Sequence, residues 1–582
     1  MKKRGRETAI KHSKQAPRVV LLGISSQYVH SALAPWCIKA GLLAYSRTEH
    51  TVKVLEGTVN ELPEAVIKRV IDSRPDVLGI SCYIWNITFV GAMLPALRHA
   101  LPDCVMVLGG PEVSYAAGEV LTRYPQVDYV LTGEGELPFA RLYDALNGNG
   151  VMEEVPGLCR RTANGLLISP PYAHEDMQPS PYCEDYLRAL GGRIAYLETS
   201  RGCPYSCAFC LSGRGEKLRQ VPLHRAFHEI MLLAKSGTKT VKLVDRTFNA
   251  DRGRAAQILR FIKDQAERGE IADVTFHFEI AGDLLDEETL SLVEAAPCGL
   301  FQFEIGLQSM DEQTLRLVRR RTDMTFLSQQ VRRLIACGKA HVHLDLIAGL
   351  PGEDVAGFAR SFDKAYALRP HALQLGFLKL IHGSAMREEP GVYPCQFDPN
   401  PPYQVQSTPN LSEADFEVLQ TTELALDKLY NAGRFASTLN WLSGEGRFTP
   451  FELYLKLGAA IKAASPDASL PLDELCNLVY DCLLEALPGQ EARIRDLMLI
   501  DRLASTKTTV LPARLKQKDA RFHAVKRALT QRYPRPENTV RAIAFLYAGE
   551  EDRVIWCDYQ GQNPVTKLYE IENKQVSLIL NC

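Results

Sequence analysis

Between Arg18 and about Asn147 the chain alternates short, continuously apolar runs with longer stretches of helical length. RVVLLGI, TVKVL, DVLGISC, VMVLGG and DYVLTG read as buried strands; HSALAPWCIKAGLLAY and NITFVGAMLPALRHAL read as the helices between them. Strands that are apolar along their whole length, with helices between, predict a doubly wound parallel sheet covered on both faces. Such sheets bind ligands beyond the carboxyl ends of their strands, and Gly23, Gly79, Gly109, Gly110, Gly133 and Gly135 cluster there. Any one of them fits a tight turn; as a set they predict bare backbone that a large ligand can approach. GLCRRTANGLLIS, centred on Asn164-Gly165, predicts a closing β-hairpin, and SPPYAHEDMQPSPY a proline-containing linker.

A second alternating series begins at Ile194. IAYLETS, VKLVDRTF, VTFHFEIA, LFQFEIGLQ, HVHLDLIAGL and ALQLGFLKL are separated by stretches such as AAQILRFIKDQAERG and EETLSLVEAA. Six βα units predict a partial (β/α)6 barrel whose functional side chains sit at the carboxyl ends of its strands. Prolines crowd residues 386 to 410, which predicts an extended loop, and helical stretches then run from about Leu411 to Arg532. VRAIAFLYA and DRVIWCDYQ predict a terminal hairpin. The expected division is a basic tail (1–17), an α/β domain (18–150), a hairpin and linker (151–190), a barrel (191–383), a proline-rich loop (384–410) and a mostly helical C-terminal domain (411–582).

At 582 residues the chain exceeds one hydrophobic core, in keeping with this division. Its 67 basic and 69 acidic residues nearly cancel, so no global field points to nucleic acid or an anionic membrane. No run approaches the roughly 20 apolar residues that span a bilayer, and no apolar segment follows the basic N-terminus; the chain reads as cytoplasmic. Ala513 to Arg535 carries eight Lys or Arg against one Asp, and a solvated helix face explains this better than RNA contact. The 15 cysteines are mostly scattered, unlike a disulfide framework.

The exception is YLETSRGCPYSCAFCLSGRG, which sets Cys203, Cys207 and Cys210 directly after the first barrel strand. Three thiolates at Cys-x3-Cys-x2-Cys can hold three irons of a [4Fe-4S] cubane and leave the fourth open for chemistry. A zinc site would need a fourth ligand, for which His224 and His228 are the nearest candidates. The motif, with Phe209 before its last cysteine, resembles the signature of the radical S-adenosylmethionine (SAM) enzymes. That resemblance implies that SAM chelates the open iron and is cleaved reductively to a 5'-deoxyadenosyl radical. It further implies SAM contacts from Asp245 and Asn249, from Glu304, Gln308 and Ser309 in FEIGLQS, and from Asp345 in DLIAGLPGE. A Gly-Gly-Glu triplet common in relatives is absent at the second strand. His277, His341 and His343 alternate on strands, and satisfied core histidines are expected there.

A doubly wound domain before such a barrel resembles the cobalamin-binding subgroup of that superfamily. LGGPEVSY and LTGEGELPF, which hold Gly109, Gly110, Gly133 and Glu134, look like recurring segments of the subgroup, and with Gly23 they are implied to line a corrin site. Tyr83 and Trp85, just past the third strand, are placed to pack under the corrin. The Asp-x-His-x-x-Gly loop of many B12 proteins is missing, SSQYVHSAL standing in its place, so a local structural role is expected for His30. The resemblance implies methyl transfer to an unactivated carbon of a small molecule, lipid or peptide, with flavodoxin or ferredoxin as electron donor. A non-methylating cyclisation or rearrangement is the alternative; a non-catalytic corrinoid or zinc module is a third reading.

Overall fold

The computed structural model describes residues 18–212, 214, 217–444 and 448–580. They form two compact units. The first runs to Leu292 and takes in Val318–Arg321 and Leu378–Thr408; the second holds Val293–Leu317, Thr322–Phe377 and the chain from Pro409.

The first unit opens with β1 (Arg18–Ser25), β2 (Thr51–Thr58), β3 (Val77–Ser81), β4 (Val105–Gly109) and β5 (Tyr129–Leu131), parallel in the order β2-β1-β3-β4-β5. Alternate side chains enter opposite layers. Val20, Leu22, Ile24, Leu78 and Ile80 pack with Val90, Leu94 and Leu97 of the helix Ile87–Ala100; Val19, Leu21, Val77 and Val107 pack with Leu42 and Phe139. Two apolar layers are why these strands lack polar alternation. The strand order reverses at β1, which opens a crevice past the carboxyl ends of β1 and β3. The hairpin of β6 (Leu158–Thr162) and β7 (Gly165–Leu167) adds antiparallel to β5.

The unit continues with β8 (Ala195–Leu197). The short β9 (Ser200–Arg201) pairs antiparallel with β10 (Arg219–Gln220), and β11 (Thr240–Leu243) and β12 (Thr275–Ile280) follow β8 in a parallel run. In the second unit β13 (Phe301–Gln308), β14 (His341–Ala348) and β15 (Ala372–Phe377) are parallel in chain order. The six parallel strands match the sequence count. The proline-rich stretch is more ordered than a loop. It carries a short helix, Ala385–Glu388, and a ribbon of β16 (Gln396–Phe397) and β17 (Val405–Ser407), because the prolines between them turn the chain back on itself.

Helices from Glu413 to Arg532 build most of the rest of the second unit. Capping boxes at Ser412/Asp415 and Thr449/Glu452 start two of them. The second, Pro450–Ala464, stacks Phe451 and Tyr454 against Phe362 of the barrel helix Val355–Tyr366. The expected terminal hairpin is a three-stranded sheet: β18 (Ala542–Leu546) and β19 (Arg553–Cys557) are joined by β20 (Glu572–Gln575). Its third strand, ENKQ, is wholly polar, so hydropathy gave no sign of it.

Candidate active site

The cysteine loop is held at its root. Beyond β8, the Asp245 carboxylate accepts hydrogen bonds from the Thr199 backbone N–H (2.7 Å) and from the hydroxyls of Thr199 (2.6 Å) and Ser200 (2.7 Å). Burial pushes this carboxyl up to about 6 although those hydrogen bonds oppose the shift. Gly202 follows with φ +96°, and a Cβ there would lie 2.9 Å from the Lys217 carbonyl, so the turn into Cys203 requires glycine. Within the loop the Ala208 N–H donates to Val318 O (2.9 Å), and Ala208 O accepts from Met386 N–H (3.0 Å). The loop is clamped from both sides.

Cys203 and Cys207 are buried, and Cys210 and Phe209 half-buried. The Cys203 Sγ lies 3.5 Å from Thr247 Oγ1, and the Arg320 guanidinium reaches the Cys207 Sγ at 4.0 Å. Burial raises the Cys207 thiol and the Arg320 charge opposes it. Among the described residues no three His, Cys, Asp or Glu side chains close into a metal-holding group. His224 and His228, the alternative zinc ligands, are exposed on the helix Leu223–Ala234.

Several residues expected to touch SAM have partners within the protein. Asp245 is engaged as above. The Asn249 amide donates to Ala281 O (2.8 Å) and accepts from Ala281 N–H (2.9 Å), fastening the end of β11 to that of β12. In the second unit the Ser309 hydroxyl donates to Glu353 (2.9 Å) and accepts from the Asp311 N–H (3.0 Å), and burial raises the Glu353 carboxyl. Polar side chains at the ends of packed strands need partners, and here the nearest partners are protein.

Glu304, Gln308 and Asp345 are placed differently. The burial alternation of β13 and β14 puts Glu304, Gly306 and Gln308 on one face and His341, His343 and Asp345 on the matching face of the next strand. Glu304 is in register with His343, whose Nε2 lies 3.2 Å from the Asp345 carboxylate. Gln308 ends β13 at a bulge with φ +68°. The second unit thus presents a carboxylate-imidazole-carboxylate row, of which the sequence marked the two carboxylates.

A cavity of about 710 Å³ opens in the first unit over the ends of β1, β3, β4 and β5. Gly23, Gly109, Gly110 and Gly133 line it, yet their reasons for being glycine differ. An added Cβ would lie 2.6 Å from Ala32 Cβ at Gly23 and 2.5 Å from Cys82 O at Gly110, and would strike the Tyr172 backbone at Gly133. At these three the packing of the protein itself already requires glycine. Only at Gly109 does the position stay open, its nearest neighbour Leu131 O at 3.7 Å. Tyr83 and Trp85 form a stacked wall, ring centroids 4.3 Å apart and 8° from parallel, with the Trp85 indole N–H on Ile24 O. Trp85 is 48% exposed.

One wall is electrostatic. Arg201, two residues before Cys203, pairs with Glu134 (2.9 Å), Glu136 (2.9 Å) and Glu198 (2.6 Å), and Arg219 pairs again with Glu134. Burial alone would raise Glu134, but the Arg219 hydrogen bond and both cations bring it below its usual value. Glu134 thus lines the cavity and is also an ion-pair partner for the cysteine loop. Sequence reasoning missed Arg201, though its place in SRGC was a signal. It missed Arg246, an exposed cation on the cavity wall, and Tyr196, whose hydroxyl lies 2.7 Å from the His30 Nδ1. Burial and the Lys242 charge lower the His30 pKa.

A doubly wound sheet with a strand-end cavity thus continues into parallel βα units with three cysteines past the first strand. The comparisons agree. A B12 binding domain matches residues 19–143, the radical SAM superfamily 197–365, and a protein of unknown function (DUF4080) 391–560. The chain thus carries a B12-binding domain and a radical SAM domain, followed by a domain of unknown function. It is 29% identical over 237 residues to the uncharacterized methyltransferase PH0819 of Pyrococcus horikoshii, covering 39% of this chain and 52% of that one. It is 30% identical over 208 residues to the cobalamin-dependent radical SAM methyltransferase TokK of Streptomyces tokunonensis, 33% of this chain and 30% of that one. The chain thus spans about half or less of the length of these relatives. The cobalamin-dependent SAM radical enzyme OxsB, solved with aqua-cobalamin and SAM, shares the fold at TM-score 0.57 and 16% identity, over 83% of this chain and 78% of that one.

The radical SAM domain implies a [4Fe-4S] cluster and SAM, and the B12 binding domain implies cobalamin. The residues fit these groups. Three cysteines without a fourth suit a cluster that keeps one iron open, and the cavity, with its open Gly109 and flat aromatic wall, suits a large planar ring.

Proposed function

We propose that the chain is a cobalamin-dependent radical SAM enzyme that transfers a methyl group to an unactivated carbon of a small molecule, lipid or peptide. The observation that carries this is a shared wall: Ser200, Arg201, Gly202, Leu211 and Ser212, which flank the three cysteines, line the same cavity as Gly23, Gly109 and Gly133. When bound, the cluster supplies the electron that splits SAM to a 5'-deoxyadenosyl radical, and the cobalamin supplies a methyl carrier. Cys203, Cys207 and Cys210 would hold the cluster, and the Arg320 cation beside Cys207 favours its thiolate. Arg201, fixed by three carboxylates, sets the cysteine loop against the cavity wall; Trp85 and Tyr83 would offer the ring a flat aromatic wall. Flavodoxin or ferredoxin would deliver electrons in the cytoplasm; among the described residues no helix is long and apolar enough to cross a membrane.

The test is anaerobic reconstitution with iron, sulfide and hydroxocobalamin, gel filtration, then SAM and a low-potential reductant. The proposal expects about one corrin per chain, with 5'-deoxyadenosine and S-adenosylhomocysteine both formed. Deoxyadenosine alone would favour cyclisation or rearrangement. Iron without retained corrin would sink methyl transfer.

A further inference from the structure

We propose that His30 supplies a nitrogen ligand to the cobalt of the corrinoid held in the first unit's cavity, with Tyr196 as the group that fixes its ring. The inference rests on the cobalamin reading above and goes against the sequence expectation, in which the loop SSQYVHSAL, lacking the usual acid and glycine, left His30 a local structural role.

Three observations carry it. His30 lines the cavity, as do Gly23, Ser25 and Trp85. Its Nδ1 lies 2.7 Å from the Tyr196 hydroxyl, and among the described residues its Nε2 has no hydrogen-bond partner. An imidazole with one nitrogen held by a neighbour and the other open is the arrangement metal-binding histidines adopt, because the held nitrogen fixes both tautomer and ring plane. Here the holding group comes from β8, 166 residues along the chain, so no local motif could reveal it.

The third observation is rigidity. The Ser31 hydroxyl donates to Ile194 O (2.8 Å), the Ile194 N–H donates to Val29 O (2.9 Å), and the Arg193 guanidinium reaches His30 O (3.4 Å). Backbone on both sides of His30 is therefore tied to the strand that leads to Tyr196. A histidine serving only the loop's own conformation would need neither the tyrosine nor a face on the cavity. In the tautomer whose Nδ1–H donates to the Tyr196 oxygen, the Nε2 lone pair meets no protein donor among the described residues, and the metal the cavity's cofactor brings is cobalt.

The experiment uses the full-length protein, loaded with hydroxocobalamin of natural isotopic abundance and reduced to cobalt(II), in two forms: unlabelled, and labelled with 15N at histidine only. In electron paramagnetic resonance a single axial nitrogen splits each cobalt hyperfine line. The proposal expects triplets in the unlabelled protein and doublets in the labelled one. Triplets in both would assign the nitrogen to the cofactor's own base, and no splitting in either would mean water or an open face; both results overturn the proposal while leaving cobalamin binding intact. Failure to retain corrin at all would overturn the cobalamin reading itself. In His30→Gln the splitting should vanish with iron content unchanged; splitting that persists in this variant would also overturn the proposal. Should that variant bind no corrin, the labelled wild-type spectrum decides alone.

Discussion

Changing Asp245 to asparagine tests whether a buried charge is what anchors the cysteine loop. The carboxyl titrates at about 6 in the fold against an ordinary 3.8, so the folded chain binds its proton more tightly than the unfolded chain. The sign follows by linkage: this group favours folding below its unfolded value, and that contribution is lost as pH rises through about 6. The gap corresponds to about 3 kcal/mol at neutral pH, paid in desolvation and only partly offset by Thr199 and Ser200. Asp245→Asn keeps the shape and one acceptor oxygen without the charge. Calorimetry of the metal-free protein from about pH 3.5 to 7.5 should therefore show wild type losing stability relative to the variant across about pH 4 to 6, with iron content after reconstitution unchanged. Asp245→Ala should behave oppositely, because it strands a backbone N–H and two hydroxyls at about 1–3 kcal/mol per unsatisfied group. It should melt lower at every pH and retain less iron. Identical pH profiles for wild type and Asp245→Asn would refute the reasoning.

Cys207→Ala should abolish reductive SAM cleavage and lower bound iron; deoxyadenosine formed at the wild-type rate would remove the cluster assignment. Arg201→Met leaves Glu134, Glu136 and Glu198 without their shared cation, which should cost about 3–5 kcal/mol, visible as a lower thermal midpoint, with Arg201→Lys recovering part of it. The two neighbouring glycines should separate packing from ligand approach. Gly110→Ala, at φ +107° and against Cys82 O, should yield poorly folded protein; Gly109→Ala should melt like wild type yet retain less corrin after gel filtration. Glu353→Ala removes the acceptor shared by Ser309 and Ser361 and should lower stability by about 2–4 kcal/mol, read by denaturant titration.

Much of this was legible in one dimension because its causes are local. Continuous apolar strands between helices reveal a two-faced parallel sheet, since both layers must be served by alternate side chains, as Val19 and Val20 do. Three cysteines in eight residues mark a candidate cluster loop because its expected ligands come from one short stretch of chain. β20 was not legible, since ENKQ owes its strand conformation to pairing with β19. Nor were the fates of Asp245, Asn249 and Ser309: a polar side chain at a strand end is equally suited to a ligand or to a neighbouring backbone, and only the neighbour's position decides.

The sequence by itself determined the order of domains, the parallel βα architecture and the cysteine motif, all set by short-range pattern. Tertiary structure decided which side chains remain available once protein partners are satisfied. It tied Arg201 to three carboxylates, reserved Gly110 and Gly133 for packing while leaving Gly109 open, and brought Tyr196 to His30. The reason is physical: a buried polar group takes the nearest partner of suitable geometry, and distance in space between residues far apart in the chain is fixed only when the sheets have packed.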